Sequence, residues 1–141
     1  MVRISDLDII KALQENARTP FVELAKRFGV TETAVRKRVR KLEENGVIRR
    51  YTVEVDPRKL GMEAVATIGL DTTPERYIHV IDELKKMGSI ESIKRSTGDH
   101  MILIDVWFPT NDELAEFVKK LESIDGVTKT CPAIITECIK N

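Results

Sequence analysis

The stretch "TETAVRKRVRKLEENG", Thr31 to Gly46, sets five Lys and Arg residues among two Val and a Leu. At 100° per residue, Val35, Val39 and Leu42 share one side of a helix, as a core-facing stripe. Thr33, Lys37 and Arg40 then point the opposite way, Arg36 and Lys41 flank them, and Arg38 lies beside the stripe. Arg36 with Arg40, and Lys37 with Lys41, are like charges one turn apart, each pair costing about 0.2–0.5 kcal/mol in an isolated helix. Glu43 and Glu44 offset part of this from the last turn. An external anion would offset the rest. The chemistry open to such a face is recognition of nucleic acid: Arg and Lys donate to guanine, a Thr methyl packs on thymine, and outlying cations hold phosphate. A merely solvated helix face is the alternative.

The elements needed to aim that face precede it. Ser5 is an N-cap with Asp6 and Asp8 in the first turn, and Leu7, Ile10, Leu13 and Ala17 form the stripe of a first helix. Thr19 and Pro20 start a second helix, whose inward residues are Phe21, Leu24, Ala25 and Phe28. Gly29 stops it, and only Val30 separates that glycine from Thr31, the N-cap of the third helix, which Gly46 ends. Two helices joined this tightly make a helix-turn-helix, which presents its second helix to the major groove. The expected DNA-binding set is Thr31, Thr33, Arg36, Lys37, Arg40, Lys41, Arg49 and Arg50. Thr33, Arg36, Lys37 and Arg40 go to bases, and Lys41, Arg49 and Arg50 to phosphate. In "VIRRYTVEVDP" the alternation of Tyr51, Val53 and Val55 with polar residues predicts a half-buried strand closed by Pro57, as a wing or an arm to the next domain.

Charge separates two modules. Across 141 residues the formal net charge is zero, but residues 1–60 hold 14 Lys/Arg against 9 Asp/Glu, leaving 9 against 14 in residues 61–141. A basic module suits a polyanion and an acidic one suits something else. No apolar run approaches the roughly 20 residues that span a bilayer, and "MVRISDLD" lacks a signal-peptide core, so a cytoplasmic protein without membrane partners is expected. Cys131 and Cys138 fall in one predicted strand, which would hold them roughly 20 Å apart on opposite faces, as buried thiols, with a redox or inter-subunit role as the alternative.

The second module carries a weak repeat. "PERYIHVIDELKKMGSIESI" and "TNDELAEFVKKLESIDGVTK" each place a helix before a strand, with Leu84, Met87 and Ile90 spaced like Leu121, Ile124 and Val127. Strands are predicted at Ala64 to Leu70, Ile90 to Ser96, Met101 to Phe108 and Val127 to Ile139, and Thr110 with Glu113 forms a capping box. The order βαββαβ predicts a ferredoxin-like sandwich with both helices on one face of an antiparallel sheet. The other face has no cover within the chain, so a second subunit's sheet is expected there. The fold class is α+β: a winged helix-turn-helix domain (1–50), a strand or hinge linker (51–61) and a βαββαβ domain (62–141).

The run "LDIIKALQENARTPFVELAKRFGVTETAVRKRVRKLEENGVIRRYTVEVDPRKLG", followed by a βαββαβ module with "STGDHMILI" at its central turn, resembles the Lrp/AsnC family of feast/famine transcriptional regulators over essentially the full chain. The resemblance implies dimers formed through C-terminal (RAM-type) sheets, often assembled into octamers, with an effector, usually an amino acid, bound between subunits. It also implies effector contacts at the turn Gly98, Asp99 and His100, with Thr97 beside it and Thr130 as a second wall. Many members carry an acidic residue where this chain has Met101, which shifts the expectation toward an apolar effector or none.

Two other readings share the residues. An architectural DNA-binding protein would need no effector, and a regulatory module without DNA binding would leave the basic third helix unexplained. No zinc-ligand spacing, phosphate loop or nucleophile elbow is present, so no enzyme activity, metal or cofactor is expected.

Overall fold

The computed structural model describes residues 4–141, so the first three residues of the expected 1–50 domain and of the "MVRISDLD" segment lie outside it. Internal packing divides the chain between Glu54 and Val55, inside the expected 51–61 linker.

In the N-terminal unit, Ser5 caps α1 (Asp6–Glu15) reciprocally: Ser5 Oγ accepts from the Asp8 N–H at 3.1 Å and Asp8 Oδ2 accepts from the Ser5 N–H at 3.1 Å. The inward residues of α1 are Ile9 and Ala12, with Ile10 and Leu13 partly buried. This corrects the expected stripe: Leu7 is 64% exposed and Ala17 lies beyond the helix. The cause is Ile4, buried just before the cap in the same core as Ile9, a hydrophobic staple that turns Ile9 inward. Next comes α2 (Phe21–Phe28), with Pro20 at its N-cap and Gly29 at φ 66° as its stop. The third helix, α3 (Glu32–Glu44), begins where Thr31 Oγ1 accepts from the Ala34 N–H at 3.1 Å, and it buries Val35, Val39 and Leu42.

The predicted strand after α3 does not form. Residues 49–56 carry no ladder, Val53 is 77% exposed and Tyr51 56%. Its alternation is that of a strand, but a strand needs a hydrogen-bonded neighbour, and the described residues of this unit supply none.

The C-terminal unit runs β1 (Ala64–Thr72), α4 (Tyr77–Lys85), β2 (Ile90–Arg95), β3 (Ile102–Phe108), α5 (Asn111–Glu122) and β4 (Val127–Ile134). The sheet order is β2-β3-β1-β4 with every neighbour antiparallel, the ferredoxin-like arrangement. Ala64, Ala66, Ile68 and Leu70 of β1 and Ile102, Ile104 and Val106 of β3 face the core, where Val80, Ile81 and Leu84 of α4 and Leu114, Phe117 and Leu121 of α5 meet them. The repeat is real in three dimensions. Ile90 N–H donates to Met87 O and Val127 N–H to Ile124 O, so each helix enters its strand by the same turn. Thr110 Oγ1 accepts from the Glu113 N–H at 3.2 Å; Glu113 answers to the Thr110 hydroxyl at 3.3 Å rather than to its backbone, so the expected capping box is half formed.

The last strand is shorter than predicted. Ile135 N–H still donates to Val65 O at 2.8 Å, and there the ladder stops, because β1 begins at Ala64 and offers nothing further to pair with. Cys138 therefore lies outside β4 and is exposed, while Cys131 is half-buried; both thiols are free, and the expected shared strand and burial are corrected. Arg58 holds the departing tail by donating to Ile135 O and to Glu63 O. With both helices on one face, the opposite face presents Val65, Thr67, Gly69 and Asp71 of β1 beside Leu103, Asp105 and Trp107 of β3.

Candidate nucleic-acid interface and effector turn

Because Val35, Val39 and Leu42 are buried, the rest of α3 is turned outward, and Thr33, Arg36, Lys37, Arg40 and Lys41 are all exposed. Arg49 and Arg50 are exposed on the extended segment beyond the helix. Thr31 spends an acceptor lone pair on its cap and keeps its hydroxyl proton for another partner. Arg38 reaches Asp6 Oδ1 at 2.9 Å, which ties α3 to α1. Arg36 is paired as well: its Nη2 lies 2.6 Å from Glu32 Oε1, and its Cζ lies 5.8 Å from the centre of the Phe21 ring. Glu32, one turn ahead, is thus an offset to the basic face that the reading by last-turn acids passed over. Lys37, Arg40 and Lys41 have no carboxylate partner among the described residues.

The turn between β2 and β3 leaves Thr97, Gly98 and Asp99 exposed, with Gly98 N–H donating to Ser96 Oγ at 3.3 Å. His100 folds back over the sheet. Its ring occupies the space above Gly69, where an added Cβ would stand 2.3 Å from His100 Cδ2. His100 Nδ1 lies 3.1 Å from Asp71 Oδ2, and the Met101 N–H donates to Asp71 Oδ1 at 3.0 Å. Sequence reasoning named neither Gly69 nor Asp71. A glycine inside the apolar run "AVATIGLDT" was the available signal, since it marks a close approach in a strand.

Thr130 does not join this group. It pairs with Leu70, whose side chain is buried on the helix side, whereas Gly69, Asp71 and His100 belong to the opposite face. Its Oγ1 is buried with no hydrogen-bond partner among the described residues. Within one chain the expected second wall and the turn stand on different sides of the sheet.

The Met101 N–H holds the Asp71 carboxyl below the ordinary aspartate range; partial burial opposes this, and His100 and Lys129 assist it. A carboxyl whose folded value is depressed stabilises the fold above its unfolded value and loses that contribution as pH falls through the folded one. The C-terminal unit should therefore weaken below about pH 4, and Asp71→Asn should flatten that acid limb while lowering stability at neutral pH. Thermal melts of both proteins across the acid range check this; parallel curves would refute it.

Residues 3–49 match the family described as winged helix-turn-helix DNA-binding, and residues 63–141 match the Lrp/AsnC ligand binding domain. The HTH-type transcriptional regulator LrpA of Pyrococcus horikoshii is 45% identical over 141 residues, spanning 99% of this chain and 100% of that protein. The chain belongs to the Lrp/AsnC family. Among its relatives is the regulator LrpA1 of Halobacterium salinarum, 34% identical and matched over 94% of each chain. The structure of E. coli AsnC superposes with a TM-score of 0.84 at 29% identity, covering 99% of this chain and 96% of that one. A Neisseria meningitidis transcriptional regulator in complex with L-Met superposes at 0.88 over 100% of this chain and 94% of that one, a likeness of fold at 24% identity. This Lrp/AsnC protein is accordingly a transcriptional regulator with a helix-turn-helix DNA-binding domain and a ligand-binding domain, and not an enzyme. Among its described residues no helix is long and apolar enough to cross a membrane.

Proposed function

We propose that this regulator reads a specific double-stranded DNA sequence with α3, as a homodimer that assembles further into an octamer, under control of an amino acid bound at C-terminal subunit interfaces. Residues 1–50 bind DNA, 51–61 link, and 62–141 oligomerise and bind the effector, all in the cytoplasm. The observation that carries the reading is the outward face of α3, where Thr33, Lys37 and Arg40 stand opposite the buried Val35, Val39 and Leu42 with Arg36 exposed on the flank. Thr33, Arg36, Lys37 and Arg40 contact bases; Lys41, Arg49 and Arg50 contact phosphate.

Thr97, Gly98, Asp99 and His100 line the effector site from one subunit; Thr130, with its hydroxyl buried on the helix-covered side of the sheet, is not part of that wall. Met101 packs against the apolar core rather than offering charge, which favours an apolar amino acid; the L-Met complex of the Neisseria relative supports the same class. A ligand alters DNA affinity only through unequal affinity for two states of the protein, which an interface between subunits provides. Selection of bound fragments from the organism's genome, with and without pooled amino acids, tests the whole reading. Enrichment of a shared sequence that changes with the pool is expected. Enrichment indifferent to every amino acid would replace the effector-controlled reading by an architectural one, and no enrichment would overturn specific DNA recognition.

A further inference from the structure

Arg36 differs from Lys37, Arg40 and Lys41 in being held. Phe21 opens α2 and Glu32 opens α3, and the tight connection through Gly29 brings both helix starts to one guanidinium. The Phe21 ring lies under Arg36 Cζ at 5.8 Å, while Glu32 Oε1 takes a donor from Nη2 at 2.6 Å. Phe21 is itself half-buried against the hydrophobic core of the N-terminal unit, so its ring is a fixed platform. A guanidinium carries five N–H donors in a rigid plane. One goes to Glu32 and the rest remain for a partner, in a plane already chosen.

We infer that Glu32 and Phe21 are positioning residues for base readout by Arg36, and that Glu32 sets sequence discrimination at the expense of affinity for DNA in general. The inference rests on the proposed reading of α3 as the recognition helix. Bidentate donation to guanine O6 and N7 requires the planar fork to arrive in one orientation. An arginine free in water must give up its rotamer freedom at that moment, whereas a seated one has done so already. The carboxylate that seats it also faces the phosphates of any duplex, and like charges repel regardless of sequence. Two effects of opposite sign therefore meet in one residue. A Glu32 that served only the helix start would, when neutralised, change melting and leave discrimination alone.

The full-length wild type is first used to enrich a sequence from a pool of randomised duplexes. Affinities for that duplex and for a scrambled one are then compared for the wild type, Glu32→Gln, Phe21→Leu and Arg36→Ala. Glu32→Gln should bind the scrambled duplex at least as tightly as the wild type, while the ratio of the two affinities falls about tenfold. Phe21→Leu should lower the ratio similarly. Should Phe21→Leu prove unfolded by its melting curve, the isosteric change Glu32→Gln at a half-buried position outside the core carries the test alone. If Arg36→Ala loses discrimination while Glu32→Gln keeps it, the positioning role is overturned and the α3 reading stands. If Arg36→Ala discriminates as well as the wild type, or the wild type enriches nothing, the reading of Arg36 itself fails and the inference with it.

Discussion

Replacing Arg36 and Arg40 together by Ala should lower the affinity of the full-length regulator for its selected DNA by about a hundredfold or more. Each well-placed contact to a base contributes roughly 1–3 kcal/mol, and a decade of affinity corresponds to about 1.4 kcal/mol. Arg36→Ala also strips Glu32 of its counter-charge, leaving a bare carboxylate on a face that meets phosphate. The fold should be untouched. Both side chains are exposed, Ala is the stronger helix former, and an i,i+4 repulsion between like charges disappears. Melting temperature and sedimentation coefficient should thus match the wild type while a gel-shift or anisotropy titration shows the loss. The dependence of affinity on salt should stay nearly as steep, because Lys41, Arg49 and Arg50, the residues assigned to phosphate, are retained. Undiminished affinity in the doubly substituted protein would remove α3 from the interface.

Local rules carried the recognition helix nearly whole. Thr31, Gly29 and the Val35, Val39, Leu42 stripe are short-range signals, each set by neighbours within two turns, and all stand where spacing puts them. The misreadings share a different cause. The α1 stripe is decided by Ile4, which lies outside the helical period and acts through the cap. The Tyr51, Val53, Val55 alternation states a preference for strand, but pairing is a property of two segments, and one cannot reveal whether the other exists. β4 stops near Ile134 for the same reason seen from the opposite side: the length of its partner, not its own composition, ends it. The turn at Gly98 and Asp99 was legible as a turn. The link from Asp71 to His100 across 29 residues was not, since it depends on which strands become neighbours. Thr130 shows the hardest case, because a single step of register decides which sheet face a side chain joins.

Placing Asp at Val65 should split the proposed dimer into monomers. Val65 sits on the helix-free face of β1 with the apolar Trp107 as its in-register neighbour on β3. An acidic residue is tolerated on that face only with its own donors. Asp105 shows the condition: its two oxygens accept from Thr67 Oγ1 at 2.7 Å and Ser92 Oγ at 2.5 Å, so it can be covered by a second sheet without a further partner. The neighbours of Val65 offer no such hydroxyl pair. A buried, unpaired carboxylate costs several kcal/mol, and two-fold symmetry imposes that cost twice across one interface. The monomer should still fold, because Val65 points away from the core that Ala64 and Ala66 line with α4 and α5. Sedimentation velocity at micromolar concentration should therefore show a species of half the mass with an unchanged far-UV spectrum. DNA affinity should fall as well, by about 10²–10⁴, because the second recognition helix is no longer delivered at the effective concentration that a dimer provides. A Val65→Asp protein that sediments as the wild type would place the subunit contact elsewhere, whereas one that becomes monomeric yet keeps full DNA affinity would separate dimerisation from recognition. Joint loss is the outcome expected if the bare sheet face is what presents two copies of α3 to one duplex.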